Sequence, residues 1–85
     1  MKKEIQMESN NNKLIRDLGL AASLVSLDFE ILDTERDTQG RAYFVFKQTT
    51  KFEQAVNDYW SNTLSVKARQ YFDNTKMLKT RIYSE

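Results

Sequence analysis

The chain has 85 residues and a net charge of +1, and it contains no His, Cys or Pro. His and Cys supply most of the groups that titrate near neutral pH, attack carbonyl carbons or hold zinc, so their absence excludes most enzymatic and transition-metal chemistry. The longest apolar stretch, residues 18–27, is about half of what a membrane span needs. Composition therefore predicts one small non-enzymatic domain in the cytoplasm, with no cofactor, no metal site and no membrane association.

The charges are unevenly distributed along the chain. Residues 1–40 carry five basic and eight acidic side chains, whereas residues 41–85 carry eight and four. Such an asymmetry can orient a protein against a charged partner, although an ordinary mixed surface explains it equally well.

The chain begins with a polar stretch, residues 1–12, that we predict to be a flexible segment ahead of a single domain at 13–85. Apolar residues then recur near the helical period and predict a first helix over about 14–27. Gly19 lies within this helix, where a glycine most often allows another backbone to approach closely.

A β-hairpin is predicted next, with strands at 29–35 and 41–47. The turn between them contains Asp37 and Gly40, which suit a turn that needs a side-chain acceptor and a positive φ. The second strand is apolar on both faces, with Phe44 and Phe46 on one side and Tyr43 and Val45 on the other. Both faces therefore need cover, from helices or from a second copy of the chain.

Two further helices are predicted at about 51–61 and 66–82. The first begins at a capping box formed by Thr50 and Glu53, and Ser65 is the expected cap of the second. Their predicted core stripes are Phe52, Ala55, Val56, Tyr59 and Trp60, followed by Ala68, Tyr71, Phe72, Thr75, Leu78 and Ile82. The fold class is α+β, a β-hairpin packed against three helices in the order α-β-β-α-α.

An ordered set of residues across 14–83 resembles an uncharacterised family of small proteins encoded on phages, plasmids and integrative elements of Gram-positive bacteria. The set comprises Asp17-Leu18, Ala21-Ala22, Leu24, Glu35-Arg36, Tyr43-Phe44-Val45-Phe46, Tyr59-Trp60, Val66, Ala68, Phe72 and Leu78-Lys79. The resemblance implies a bacterial or viral cytosolic setting and a function accessory to a mobile element, but no activity, cofactor or catalytic residue. This chain has Asp28 where the family pattern suggests Gly.

The acidic residues do not predict a metal or catalytic site. Asp33, Glu35 and Asp37 alternate as in a calcium loop, but the positions that would need Gly and a bidentate Glu hold Thr38 and Phe44. No carboxylate lies inside an apolar stripe, where burial would raise its pKa for acid–base catalysis.

The aromatic residues indicate a protein interface. Neighbouring aromatics on one helix diverge by about 100°, so they cannot all face the core. We predict Tyr43, Tyr59 and Tyr83 to be partly exposed and to bind a protein partner, since such residues anchor interfaces.

The basic residues support an alternative, the binding of nucleic acid. Arg36 and Arg41 flank the hairpin turn, and the last helix carries Lys67, Arg69, Lys76, Lys79 and Arg81. Phosphates attract such groups, but on a helical wheel these residues scatter instead of forming one face.

Two functions follow from the sequence. The first is an interaction module, an adaptor or inhibitor that docks on a protein partner and can also self-associate. The alternative is an accessory protein that binds nucleic acid through Arg36, Arg41 and the last helix.

Overall fold

The computed structural model describes residues 11–84, which contain three strands and three helices. They are β1 (Asn12–Ile15), α1 (Leu18–Ser26), β2 (Ile31–Arg36), β3 (Ala42–Lys47), α2 (Thr50–Trp60) and α3 (Ala68–Tyr83). The predicted α+β class and the order α-β-β-α-α are confirmed. The predicted flexible segment 1–12 lies outside the described residues except for its last two positions, and Asn12 belongs to β1.

The first strand was missed, because the sequence pattern assigns Leu14 to a helix. In the structure β1 pairs antiparallel with β3, Ile15 lies opposite Phe44, and the sheet has the order β1-β3-β2. The helix begins only after Asp17, whose carboxylate accepts a hydrogen bond from the Leu20 N–H at 2.8 Å. Because the helix begins at this N-cap, the residues before Asp17 lie outside it and can pair with β3.

The hairpin turn forms as predicted and is organised by Asp37. One of its oxygens accepts hydrogen bonds at 2.9 Å from the backbone N–H groups of Gln39 and Arg41, and Gly40 adopts a φ of 83°. Further along the hairpin, β2 has a register irregularity between Ile31 and Asp33.

The ends of the last two helices differ from the prediction. The cap of α2 is Thr49, whose hydroxyl accepts a hydrogen bond from the Phe52 N–H at 3.1 Å, so the predicted box of Thr50 and Glu53 is wrong by one residue. The helix α3 begins at Ala68 after Lys67 and has no side-chain cap, so Ser65 does not cap it.

The core lies between the sheet and the helices. Its largest fully buried side chains are Phe44, Phe46, Phe52, Leu24 and Leu78. Three residues of the predicted stripes are instead exposed: Trp60, Phe72 and Ala68. A helix can bury only about the width of one stripe against a small sheet, so the residues at the flanks of α2 and α3 remain in solvent.

Two positions in or next to α1 have an unusual backbone conformation or environment. Asp28 follows α1 and adopts a φ of 72°, the left-handed conformation that Gly would adopt more easily. Gly19 is approached by the side chains of Tyr59 and Tyr71, not by another backbone as predicted.

Within residues 11–84 no helix has the length and apolar character to cross a membrane.

Candidate functional site

The candidate site is built around Trp60, a large exposed side chain and the last residue of α2. Its side chain is 63% exposed, and its ring meets that of Tyr59 edge to face at a centroid distance of 5.0 Å. The helical stripe of Phe52, Ala55 and Val56 directs Tyr59 toward the core, and Trp60, one residue further, turns away from it. A large aromatic ring is therefore held at the surface by a half-buried neighbour.

On one side of Trp60 a groove of about 440 Å³ separates the end of α2 from α1 and α3. A Cβ on Gly19 would lie 2.7 Å from the Tyr59 hydroxyl and 3.2 Å from that of Tyr71, so both hydroxyls converge on this glycine. Tyr59 also donates a hydrogen bond to Asp17 at 3.3 Å. Burial raises the pKa of Tyr59, and the nearby Asp17 charge raises it further, so the phenol is neutral at physiological pH. We call the groove between the end of α2 and the helices α1 and α3 the helix groove.

On the other side of Trp60 a groove of about 480 Å³ follows β1. It is lined by the consecutive residues 13–17 together with Leu20, Val56 and Trp60. Because β1 is an outer strand of the sheet, and no strand within residues 11–84 pairs with its far side, this groove runs beside unpaired backbone groups. We call it the strand groove, and we call Tyr59, Trp60 and this groove together the Trp60 surface.

The three predicted interface tyrosines occupy different environments. Tyr43 is half-buried on the sheet face opposite the core, where the Arg16 guanidinium lies 5.1 Å from its ring centroid. Its hydroxyl donates to Glu35 at 2.8 Å, and this bond raises the pKa of Tyr43. Tyr83 is 81% exposed at the end of α3. Arg16 and Asp17 both line the strand groove. Tyr43 contacts Arg16 and Tyr59 donates to Asp17, so both tyrosines adjoin this groove. Tyr83 is not among the residues that line it.

The predicted nucleic-acid residues extend from the hairpin turn along the whole of α3, with Arg36 at the end of the helix that carries Arg81 and Lys67 at its start. Arg36 donates to the carbonyl oxygens of Gly40 and Ile82, and Arg41 approaches Asp37 at 3.6 Å. Arg69 pairs with Asp73 at 3.8 Å.

The remaining predicted cations of α3 are also separated. The Lys76 ammonium lies 5.2 Å from the Phe72 ring centroid. Lys67 precedes the first residue of α3 and Arg81 lies in its last turn, so their backbones are about 20 Å apart along the helix. The structure thus spreads the positive charge that the alternative function would need.

The residue that sequence reasoning missed is Trp60, which it assigned to the core. The available signal was the adjacency of Tyr59 and Trp60, since two neighbours on one helix cannot share one narrow stripe. That signal requires one of the two to be exposed but does not say which one. Phe72, 60% exposed on α3, was missed for the same reason beside Tyr71.

The acidic residues of the hairpin do not form a metal site. Within residues 11–84 no group of three or more acidic side chains lies close enough together to hold a metal ion. Asp37 instead pairs with Arg16 at 2.9 Å and accepts hydrogen bonds from the N–H groups of the turn. These contacts lower the pKa of Asp37, and the hydrogen bond from the Arg41 N–H is the largest cause.

Comparison with known proteins gives one match. A family model described as a domain of unknown function, DUF5659, matches residues 10–84. No curated protein and no solved structure matches the chain.

Proposed function

The chain belongs to the DUF5659 family, whose function is unknown, and we propose that it is a non-enzymatic docking module that binds a protein partner through the Trp60 surface. The observation that carries the proposal is the position of Trp60, exposed at a helix end beside the edge of β1 that no strand within residues 11–84 pairs with, which we call the free edge. Tryptophan is among the residues most enriched at the energetic centres of protein interfaces.

The free edge of β1 defines the form of the partner segment. An extended segment can add to an exposed strand by backbone hydrogen bonds, while pockets beside the strand select its side chains. In the strand groove an apolar partner side chain would pack against Trp60 and Val56. The binding energy would then come mainly from burial of the tryptophan ring.

The charges along the same edge define the chemistry of the partner. Lys13 and Arg16 both line the strand groove and are exposed, and Asp17 lines it with them, which leaves the lining with one net positive charge. Complementary potentials favour encounter and fix register, so the segment would carry acidic side chains flanking its apolar residue. The proposed occupant is therefore a short, extended, acidic segment of another protein.

The resemblance to proteins of phages, plasmids and integrative elements supports a biological setting for this proposal. In that setting the chain would act in the cytoplasm of a Gram-positive bacterium, as an adaptor or inhibitor that a mobile element directs at a host protein. The alternative of nucleic-acid binding has less support, because Lys67 and Arg81 lie near opposite ends of α3 and no single basic face joins them.

The test uses three baits in a host-cell lysate: the wild-type chain, Trp60→Ala and Phe72→Ala. Phe72 is the matched control, since it is an aromatic of nearly equal exposure on another helix. We expect a protein that is retained by the wild type and by Phe72→Ala but is lost with Trp60→Ala. A partner retained equally by all three baits would contradict the proposal.

A second step locates the contact. The chain contains a single tryptophan, so its fluorescence reports directly on this surface. A synthetic acidic peptide from the captured protein should shift the Trp60 emission. Since truncation of a hot-spot residue weakens binding by about 30-fold or more, Trp60→Ala should bind this peptide at least that much more weakly.

The opposing experiment is a titration with duplex and single-stranded DNA. Salt-sensitive binding that is lost in Arg36→Ala/Arg41→Ala would replace this proposal with the alternative.

A further inference from the structure

The backbone of β1 divides its hydrogen-bonding groups between two sides. The Gln48 N–H donates to the Asn11 carbonyl oxygen, so the backbone groups of Asn11 point at β3. These groups alternate in direction along an antiparallel strand, so those of Lys13 also point at β3, whereas those of Leu14 point at the free edge. Because no strand within residues 11–84 pairs with the free edge, its N–H and carbonyl groups can receive one further strand.

The chain carries a strand pattern directly ahead of β1. Residues 4–8, with the sequence Glu-Ile-Gln-Met-Glu, alternate polar and apolar side chains, which is the period of a strand with one apolar face. Ser9, Asn10 and Asn11 follow, and these residue types favour turns. A strand pattern, a turn cluster and a strand in succession are typical of a β-hairpin. The polar composition of residues 1–12 alone predicts flexibility, because an isolated hairpin is at best marginally stable and needs a surface to pack on.

One register fits this segment to the free edge. A reversal over residues 9–11 sets Gln6 opposite Leu14, so that the two residues exchange backbone hydrogen bonds at the edge where the groups of Leu14 point. The same register sets Ile5 opposite Ile15. Residues directly opposite each other project from the same face of a sheet, and Ile15 is 5% exposed within the core under the helices. Ile5 therefore faces the helices.

The apolar face of the segment then meets Trp60. Met7 is two residues from Ile5 and projects from the same face. On that side of β1 the strand groove is lined by Val56 and by the largely exposed Trp60 ring. Both apolar side chains of the segment would leave water by packing against this ring.

The charges of the segment and the groove are complementary. Residues 4–8 carry two acidic side chains and no basic one, whereas the lining of the strand groove has one net positive charge. Lys2 and Lys3 precede the segment, and the register brings them to the level of Asp17, the acidic residue of that lining. The segment therefore has the form expected of the partner, apolar residues flanked by acidic ones.

We propose that residues 4–8 of this chain occupy the strand groove as a fourth strand on β1 and cover Trp60 with Ile5 and Met7. The occupancy needs no other protein. Its consequence, that a partner segment must displace residues 4–8, rests on the proposed function. A partner binds only the molecules whose groove is open, so its apparent Kd is its intrinsic Kd divided by the open fraction.

The test compares three full-length chains by amide hydrogen exchange in NMR spectra. The wild type is set beside Ile5→Ser/Met7→Ser and beside Gln6→Ser, the matched control on the opposite face of the same segment. We expect slow exchange of the Leu14 N–H in the wild type and in Gln6→Ser. In the double variant this exchange should be faster by about tenfold or more, the change that follows when a groove closed about nine-tenths of the time opens.

The Lys13 N–H is the internal control for folding, because it points at β3 and should exchange equally slowly in all three chains. Trp60 gives a second readout, since it is the single tryptophan of the chain. Acrylamide should quench its fluorescence more strongly in the double variant than in the wild type or Gln6→Ser. Neither readout requires a partner.

Equal exchange of the Leu14 N–H in the wild type and the double variant would overturn the proposal. Protection of Leu14 that increases with protein concentration would also overturn it, because the added strand would then belong to a second copy.

The peptide of the captured partner tests the competition. The double variant should bind it about tenfold more tightly than the wild type does, and equal affinities would contradict the competition. A peptide that binds neither chain, together with a protected Leu14 N–H, would contradict the proposed function and uphold the occupancy of the groove by residues 4–8.

Discussion

Asp37 is the residue with the densest polar contacts in the hairpin. Its carboxylate accepts two backbone N–H groups of the turn and pairs with the guanidinium groups of Arg16 and Arg41. These interactions favour the ionised form and lower the pKa of Asp37, with the hydrogen bond from Arg41 the largest cause. One side chain therefore joins the turn to the segment between β1 and α1.

The lowered pKa predicts a dependence of stability on pH. A carboxyl whose pKa falls on folding stabilises the native state above its unfolded pKa of about 3.9, and this contribution is lost as the pH falls below that value. Asp37→Asn keeps the oxygen that accepts the turn N–H groups but removes the charge. We expect the urea midpoint of the wild type to fall more steeply between pH 6 and pH 3 than that of Asp37→Asn.

A matched control for this experiment is Asp73→Asn, since Asp73 forms only the exposed 3.8 Å pair with Arg69. Its pH profile should follow that of the wild type, because exposed ion pairs contribute little. Parallel profiles for Asp37→Asn and the wild type would contradict the role assigned to Asp37.

At the scale of elements, the start of α2 depends on a single side chain. Thr49 has extended backbone angles and accepts the Phe52 N–H, whereas Thr50 is already inside the helix. Thr49→Ala should therefore lower the free energy of unfolding by about 1 kcal/mol, the usual cost of losing a threonine N-cap. Thr50→Ala should leave it nearly unchanged, and urea denaturation of both variants checks the pair. A larger loss of unfolding free energy with Thr50→Ala than with Thr49→Ala would contradict this assignment and support the capping box predicted from the sequence.

The elements that could be predicted are those whose signals are local. The stripe from Phe52 to Tyr59 and the turn residues Asp37 and Gly40 act within a few residues, and both α2 and the hairpin form within two residues of where the sequence places them. The strand β1 could not be predicted in this way. Its four residues form a strand because Leu14 and Ile15 pair with β3, which lies far along the chain, and no local period records that pairing.

At the scale of the whole molecule, the candidate site depends on how the helices cross the sheet. The sequence limits which aromatics can share a stripe, but whether Tyr59 or Trp60 faces inward is decided by the position of α1 and α3 around the end of α2. The hydroxyls of Tyr59 and Tyr71 meet at Gly19, where the absence of a Cβ leaves room for them. This contact holds Tyr59 inward and leaves Trp60 at the surface.

The most direct test of docking at Trp60 is photocrosslinking in living host cells. The photoreactive amino acid p-benzoylphenylalanine is introduced at position 60 in one variant and at position 72 in another, and crosslinked products are identified by mass spectrometry. The account predicts a defined crosslink to one host or mobile-element protein from position 60 and none to that protein from position 72. Crosslinks to that protein from position 72 but not from position 60 would contradict it.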